Sequence, residues 1–199
     1  MNDTGITDPD VTGTDTTGRL AAGAALIVID VQRGFEQLGP RDNPDCEANV
    51  AALLAEWRRR GEPIVIVQHD SDEPGSPLAP GDPGHELKDV VTGDADLRVH
   101  KRVHSAFHGD PDLHGWLQSR GLTAIAICGI QTNACCETTA RVGSDLGYDV
   151  TFVLDAMHTL DKEGPDGVTV SAAEQSRATG IALHEEFATV VRTADLLTA

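Results

Sequence analysis

The chain has 199 residues, enough for one domain with a sizeable core, and its 40% hydrophobic and 24% charged content is that of an ordinary globular protein. The formal net charge of −17 argues against nucleic acid or an anionic membrane as a partner, because phosphate binding needs basic patches. No apolar run approaches the roughly 20 residues of a membrane-spanning helix. The opening MNDTGITDPDVTGTDTTGRL also lacks the basic and apolar regions of a secretory signal, so a cytoplasmic location is expected.

In chain order, residues 1–19 are rich in Thr, Asp and Gly without apolar period and read as a disordered tail, followed by a single domain over 20–199. AALIVIDVQ (24–32) is a continuous Ile/Val-rich run and predicts a buried parallel strand. Residues 45–60 carry Val50, Leu53, Leu54 and Trp57 at helical spacing, with Gly61 as the stop. PIVIVQH (63–69) predicts a second buried strand. The Pro/Gly/Asp-rich stretch after it predicts a binding loop or lid over 70–88. Then follow a short strand at 97–101, a helix at 110–120, a strand at 123–130, a helix at 133–146, a strand at 148–156, a helix at 171–187 and a last strand at 188–193. This alternation predicts an α/β fold: a three-layer, doubly wound, Rossmann-like parallel sheet of about six strands, with its site beyond the carboxyl ends of the strands.

Three residues stand out at those ends. In ICGIQTNACCETTAR (127–141) a buried strand gives way to a helix, and Thr132 or Asn133 suits its N-cap. Cys135 falls in the first turn, where the helix dipole favours a thiolate and backbone N–H groups can hold an oxyanion. Asp30 interrupts an apolar strand at its carboxyl end, where a carboxylate is costly unless paired or functional. Lys101 ends the third strand at a matching level. Each has a plainer reading: a small buried hydrophobe for Cys135, a loop cap for Asp30, a solvated edge charge for Lys101. Together they supply a thiol, a base and a cation, the makings of an activated cysteine. Four cysteines occur, Cys46, Cys128, Cys135 and Cys136, too few for a disulfide framework and without metal-module spacing. Cys128 and Cys136 read as core, and Cys46 is given no role.

ALIVIDVQRGF, KRVHSAF and GIQTNACCETTAR resemble, in order, the signature segments of isochorismatase-like cysteine hydrolases, and SPLAPGDPGHEL and GYDVTFVLDA resemble intervening segments; the likeness spans about residues 22–193. It implies the isochorismatase-like hydrolase fold and a catalytic set of Asp30, Lys101 and Cys135. Asp30 would take the thiol proton, the thiolate would attack a carbonyl carbon, and water would hydrolyse the thioester. It also implies an oxyanion held by the backbone N–H groups of Gln131 and Cys135, a cis peptide between Ile130 and Gln131, and a homodimer or homotetramer acting on a small molecule without a cofactor.

The family includes nicotinamidases, ureido and carbamoyl amidohydrolases, isochorismatases and a streptothricin-lactam hydrolase. Metal-dependent nicotinamidases carry an Asp-x-His motif after the second strand. Here Val67 stands two residues before His69, so no metal is expected, although Asp70 and Asp72 are near. His100, His104 and His108 recur every four residues but on a strand and loop, so they are not read as ligands. Isochorismatases cleave a vinyl ether without needing a thiol, so the presence of Cys135 points to cleavage of a C–N bond in an amide, ureide or lactam. The alternatives are a true isochorismatase, a nicotinamidase, or a catalytically silent binding subunit. Gln32, Phe35, His69 and Phe107 are the candidates for substrate contact, with simple packing the competing role for the two phenylalanines.

Overall fold

The structure, a computed structural model, describes residues 23–197; the tail expected at 1–19 and the first residues of the expected domain lie outside them. Six parallel strands form the central sheet: β1 (Ala25–Ile29), β2 (Ile64–His69), β3 (Leu97–Lys101), β4 (Ala124–Ile130), β5 (Asp149–His158) and β8 (Thr189–Val191), with β6 (Lys162–Glu163) and β7 (Thr169–Val170) making a small separate hairpin. The sheet order is β3-β2-β1-β4-β5-β8. The order reverses between β1 and β4, which makes their carboxyl ends the place where a doubly wound sheet opens a crevice.

The apolar runs alternate between two cores. Ala25, Ile27 and Ile29 of β1, with Ile125 and Ile127 of β4, pack under α2 (Leu113–Ser119), α3 (Glu137–Asp145) and α4 (Ala172–Leu183). Leu26, Val28, Ala126, Cys128 and Ile130 face α1 (Cys46–Arg60) and α5 (Thr193–Leu196) on the other side. Both faces of the sheet are covered, which is why its strands read as continuous apolar runs rather than alternating ones. The buried face of α1 is Val50, Leu53, Leu54 and Trp57, and the Trp57 indole donates to the Ala24 carbonyl at 2.8 Å.

Several boundaries differ from expectation for identifiable reasons. β1 stops at Ile29 because Asp30 has φ +50, outside strand geometry. α2 begins at Leu113 rather than 110, because Asp110 exchanges backbone hydrogen bonds with His100 in β3, at 2.8 Å each way. The single helix expected at 133–146 is a π turn over Thr132–Cys136 followed by α3. The helix from 171 ends at Leu183, with His184 already extended; its Ser171–Glu174 capping box fixes the start. The hairpin and α5 escaped the sequence reading; each element is too short to carry a period.

Two residues at the carboxyl ends of β4 and β5 give direct tests. Gly129 has φ +128, and a Cβ there would lie 2.0 Å from the Ile29 carbonyl oxygen. Gly129→Ala is expected to lose about 3 kcal/mol or more in urea unfolding, from backbone clash and left-handed strain together. His158 is fully buried, and neither ring nitrogen has a partner among the described residues. Burial first, then the Arg41 guanidinium, push its ring down to about 4. The unfolded chain takes up a proton near the ordinary 6.5 while the folded one does not. Stability contributed here is therefore present above pH 6.5 and lost as pH falls toward 4, by up to about 3 kcal/mol. His158→Leu should flatten that part of the stability–pH curve; parallel curves for variant and wild type would contradict the assignment.

Candidate active site

The sheet brings the three singled-out residues to one point. Asp30 is the first residue beyond β1, held by its backbone N–H on the Val67 carbonyl at 3.0 Å. Lys101 is the last residue of β3, and its register partner across the strand pair is His69, the last residue of β2. Cys135 sits in the π turn after β4; that turn is closed by the Gln131 carbonyl, which accepts from both the Ala134 and Cys136 amides at 3.2 Å. The Lys101 Nζ lies 2.6 Å from Asp30 Oδ2, 3.3 Å from His69 Nδ1 and 3.4 Å from Cys135 Sγ. The Asp30 and Lys101 side chains are both fully out of solvent.

Burial governs the proton affinities. It pushes the Asp30 carboxyl up, and Lys101 pulls it only part of the way back. Burial pulls Lys101 down, but Asp30 and then Cys135 outweigh it, so the ammonium is held more firmly than in water. Burial, and secondarily Asp30, raise the Cys135 thiol from 9.0 to about 12. Burial thus works against the thiolate that the helix dipole favours. A helix terminus contributes about 1 kcal/mol or less, under one pKa unit, and cannot offset that burial. Among the described residues Asp30 Oδ1 has no partner of ordinary hydrogen-bond geometry, while the Cys135 side chain interacts with the same carboxylate. A carboxylate of raised basicity beside a thiol, with an ammonium touching both, can move a proton and stabilise the sulfur that loses it.

A cavity of about 690 Å³ opens onto this cluster, within the usual size for a small-molecule site. Asp30, His69, Gln131 and Cys135 line its inner part, Phe35 and Leu38 one apolar wall, and Arg102 and His104 its rim. The loop after β2 supplies the opposite wall through residues 71–78. Its ends are tied by the Ser71 amide to the Leu78 carbonyl at 3.1 Å, and Arg102 pairs with Asp72. The loop turns back against 33–37 at Gly84, where a Cβ would lie 2.5 Å from the Pro77 oxygen.

Of the four candidates for substrate contact, His69 and Phe35 line the cavity. Gln32 does not: it is fully buried, its Oε1 accepting from the His69 amide at 2.9 Å and its Nε2 donating to the carbonyls of His69 and His85 at 3.0 and 2.9 Å. Phe107 does not either; it stacks on Tyr148, ring centroids 5.6 Å apart, under α3. Thr132 and Asn133 cap no helix. Asn133 bonds Gln175 and Thr159, and Thr132 accepts from Ser176, which ties the π turn to α4 and the end of β5. The bond between Ile130 and Gln131 is cis. All four cysteines are free and buried.

Asp70 and Asp72, the carboxylates near His69, are engaged elsewhere, Asp72 with Arg102. Asp70 Oδ1 accepts from His85 Nε2 at 2.7 Å and His100 Nδ1 at 3.2 Å, which bridges the loop to β3. Among the described residues no group of three or more His, Cys, Asp or Glu side chains is arranged to hold a metal ion. Leu38, Arg102 and His104 were missed by the sequence reading. Arg102 and His104 directly follow a recognised strand end, which was the available signal.

Comparison with known proteins adds a family to this geometry. The chain is 32% identical over 176 residues to the isochorismatase family protein YrdC of Bacillus subtilis, covering 87% of this chain and 94% of that one. It is 36% identical over 176 residues to a streptothricin hydrolase of Streptomyces noursei, covering 85% of this chain and 63% of that protein. A crystal structure of an isochorismatase-family protein from Chromobacterium violaceum superposes with a TM-score of 0.82 at 32% identity, over 88% of this chain and 92% of that one. The Isochorismatase domain model matches residues 24–195, and the chain belongs to the isochorismatase family of hydrolases.

Proposed function

We propose that this hydrolase cleaves a C–N bond of a small amide, ureide or lactam through a thioester on Cys135, with Asp30 as proton carrier and Lys101 as the charge that stabilises sulfur. The observation that carries the reading is the placement of one buried ammonium within 2.6 Å of a carboxylate and 3.4 Å of a thiol at the floor of a cavity. The similarity to a streptothricin hydrolase supports amide-type chemistry rather than ether cleavage.

In this scheme Asp30 accepts the thiol proton as Sγ bonds to the carbonyl carbon, so charge separates only when a substrate is present. The backbone N–H groups of Gln131 and Cys135, both residues at the cavity floor, receive the developing oxyanion. Collapse of the tetrahedral intermediate breaks the C–N bond, and Asp30 returns its proton to the leaving nitrogen. Water then attacks the thioester carbon, losing its proton to Asp30. That proton goes back to sulfur, which leaves a carboxylic or carbamic acid and the amine.

The test is a turnover panel of nicotinamide, ureido acids, N-carbamoyl compounds, lactams and isochorismate. Turnover of at least one C–N substrate is expected, with a loss of about a thousandfold or more in kcat for Cys135→Ala and a comparable loss for Asp30→Asn. A Cys135→Ala protein with full activity, or hydrolysis of isochorismate alone, would refute the scheme. The resting thiol is tested separately: alkylation of Cys135 in the free protein should quicken about tenfold per pH unit through neutrality. A plateau near pH 7 would mean that the sulfur is already ionised.

A further inference from the structure

The neighbours of Lys101 determine which nitrogen of His69 carries a proton. An ammonium has three N–H donors and no lone pair. Those of Lys101 meet Asp30 Oδ2, Cys135 Sγ and His69 Nδ1. Facing a pure donor, Nδ1 accepts, so it is unprotonated, and the neutral imidazole bears its proton on Nε2. Burial, then the Lys101 charge, keep the ring below its ordinary range, so a second proton is disfavoured; His104 adds to this while Asp30 and Asp70 oppose it. Nε2 itself has no protein partner among the described residues, and His69 lines the cavity with Asp30 and Cys135. The ring is aimed by its backbone: the Gln32 carboxamide grips both the amide and the carbonyl of His69.

We propose that His69 is a substrate-binding residue whose uncharged Nε2–H selects small amides carrying a second uncharged acceptor, a carbonyl oxygen or a ring nitrogen, beside the scissile C–N bond. The inference rests on the reading of this cavity as an amidase site. A neutral donor next to a retained ammonium rewards a lone pair, and it gives an added carboxylate no charge of its own to pair with.

Two substitutions separate this role from mere support of Lys101. The terminal atoms of asparagine reach the place of Nδ1, so His69→Asn keeps an acceptor for Lys101 and removes the cavity donor. Glutamine reaches the place of Nε2, so His69→Gln keeps the cavity donor. Nicotinamide and benzamide differ by one ring nitrogen, and succinimide and 2-pyrrolidinone by one carbonyl. The kcat/KM ratio within each pair, divided by the same ratio in a variant, cancels intrinsic reactivity.

The preference for the acceptor-bearing member is expected to fall about tenfold in His69→Asn and to be largely kept in His69→Gln. Equal preference in wild type and His69→Asn, or a larger loss in His69→Gln, would overturn the proposal. Nitrogen-15 spectra of the histidine rings, assigned with the His69→Gln variant, test the tautomer without any substrate. A protonated Nε2 and bare Nδ1 across neutral pH are expected, and an Nδ1–H tautomer or an imidazolium overturns the inference. A protein that turns over no compound in the panel but shows the expected tautomer would refute the amidase reading and leave the donor assignment standing.

Discussion

The Lys101 ammonium ties the site together. It is removed from water on a strand end, a position that costs several kcal/mol unless the charge is matched and its protons are used. Here each proton has an acceptor, one beyond β1, one at the end of β2 and one after β4. Those elements, with β3 itself, are neighbours in the sheet only because the chain winds outward twice from its middle. The fold's switch point and the ion cluster are therefore one constraint: the sheet order brings the groups together, and the buried charge penalises any register that would part them.

The same burial sets how the chemistry can run. It raises the thiol and the carboxyl together, so the quantity that matters is the difference between their proton affinities rather than either alone. Lys101 touches both and cannot stabilise one anion without stabilising the other. A thiol that is neutral at rest is protected from oxidation and adventitious alkylation, since the thiolate is the reactive form. The proton moves when a carbonyl carbon arrives to take the sulfur's electron pair. Asp30 is suited to this by its environment: its Oδ2 is committed to Lys101, while among the described residues Oδ1 has no hydrogen-bond partner and the carboxylate interacts with the Cys135 side chain.

How much of this was legible in the sequence follows from which signals are local. The Ile/Val runs of β1, β2 and β4 are buried on both faces, and such runs survive any ambiguity of orientation. Asp30, Lys101 and Cys135 were visible because each is chemically out of place at the end of a strand. Gln32 and Phe107 were misassigned because chain position says nothing about side-chain direction: Gln32 turns back to grip the His69 backbone, and Phe107 turns into the core against Tyr148. The helix-dipole preference for a thiolate was legible in the sequence, but the burial that opposes it was not, because burial depends on the fold. The π turn was invisible: it is too short to carry a period, and the side chains that tie it down, Gln175 and Ser176 of α4 and Thr159 just after β5, lie far away in sequence.

The acidity of the chain has little bearing on the cavity itself. A net charge of −17 invites the idea of a cationic substrate, yet apart from Glu73 on the loop the carboxylates lining the cavity are each matched by a cation. Asp30 is matched by Lys101 on the floor, and Asp72 by Arg102 on the rim. Asp70, behind the wall, is held by two histidines. Beyond about 10 Å the remaining surface charge is screened at ordinary salt, so it sets solubility rather than recognition. Selection then falls to shape and to hydrogen bonding against the Phe35 and Leu38 wall. The loop that builds the opposite wall has no long element of its own and is held by a few polar ties and the close pass at Gly84. Substrate choice can therefore change through residues 71–78 without disturbing the ion cluster, which is how one chemical centre can serve a family of different hydrolases.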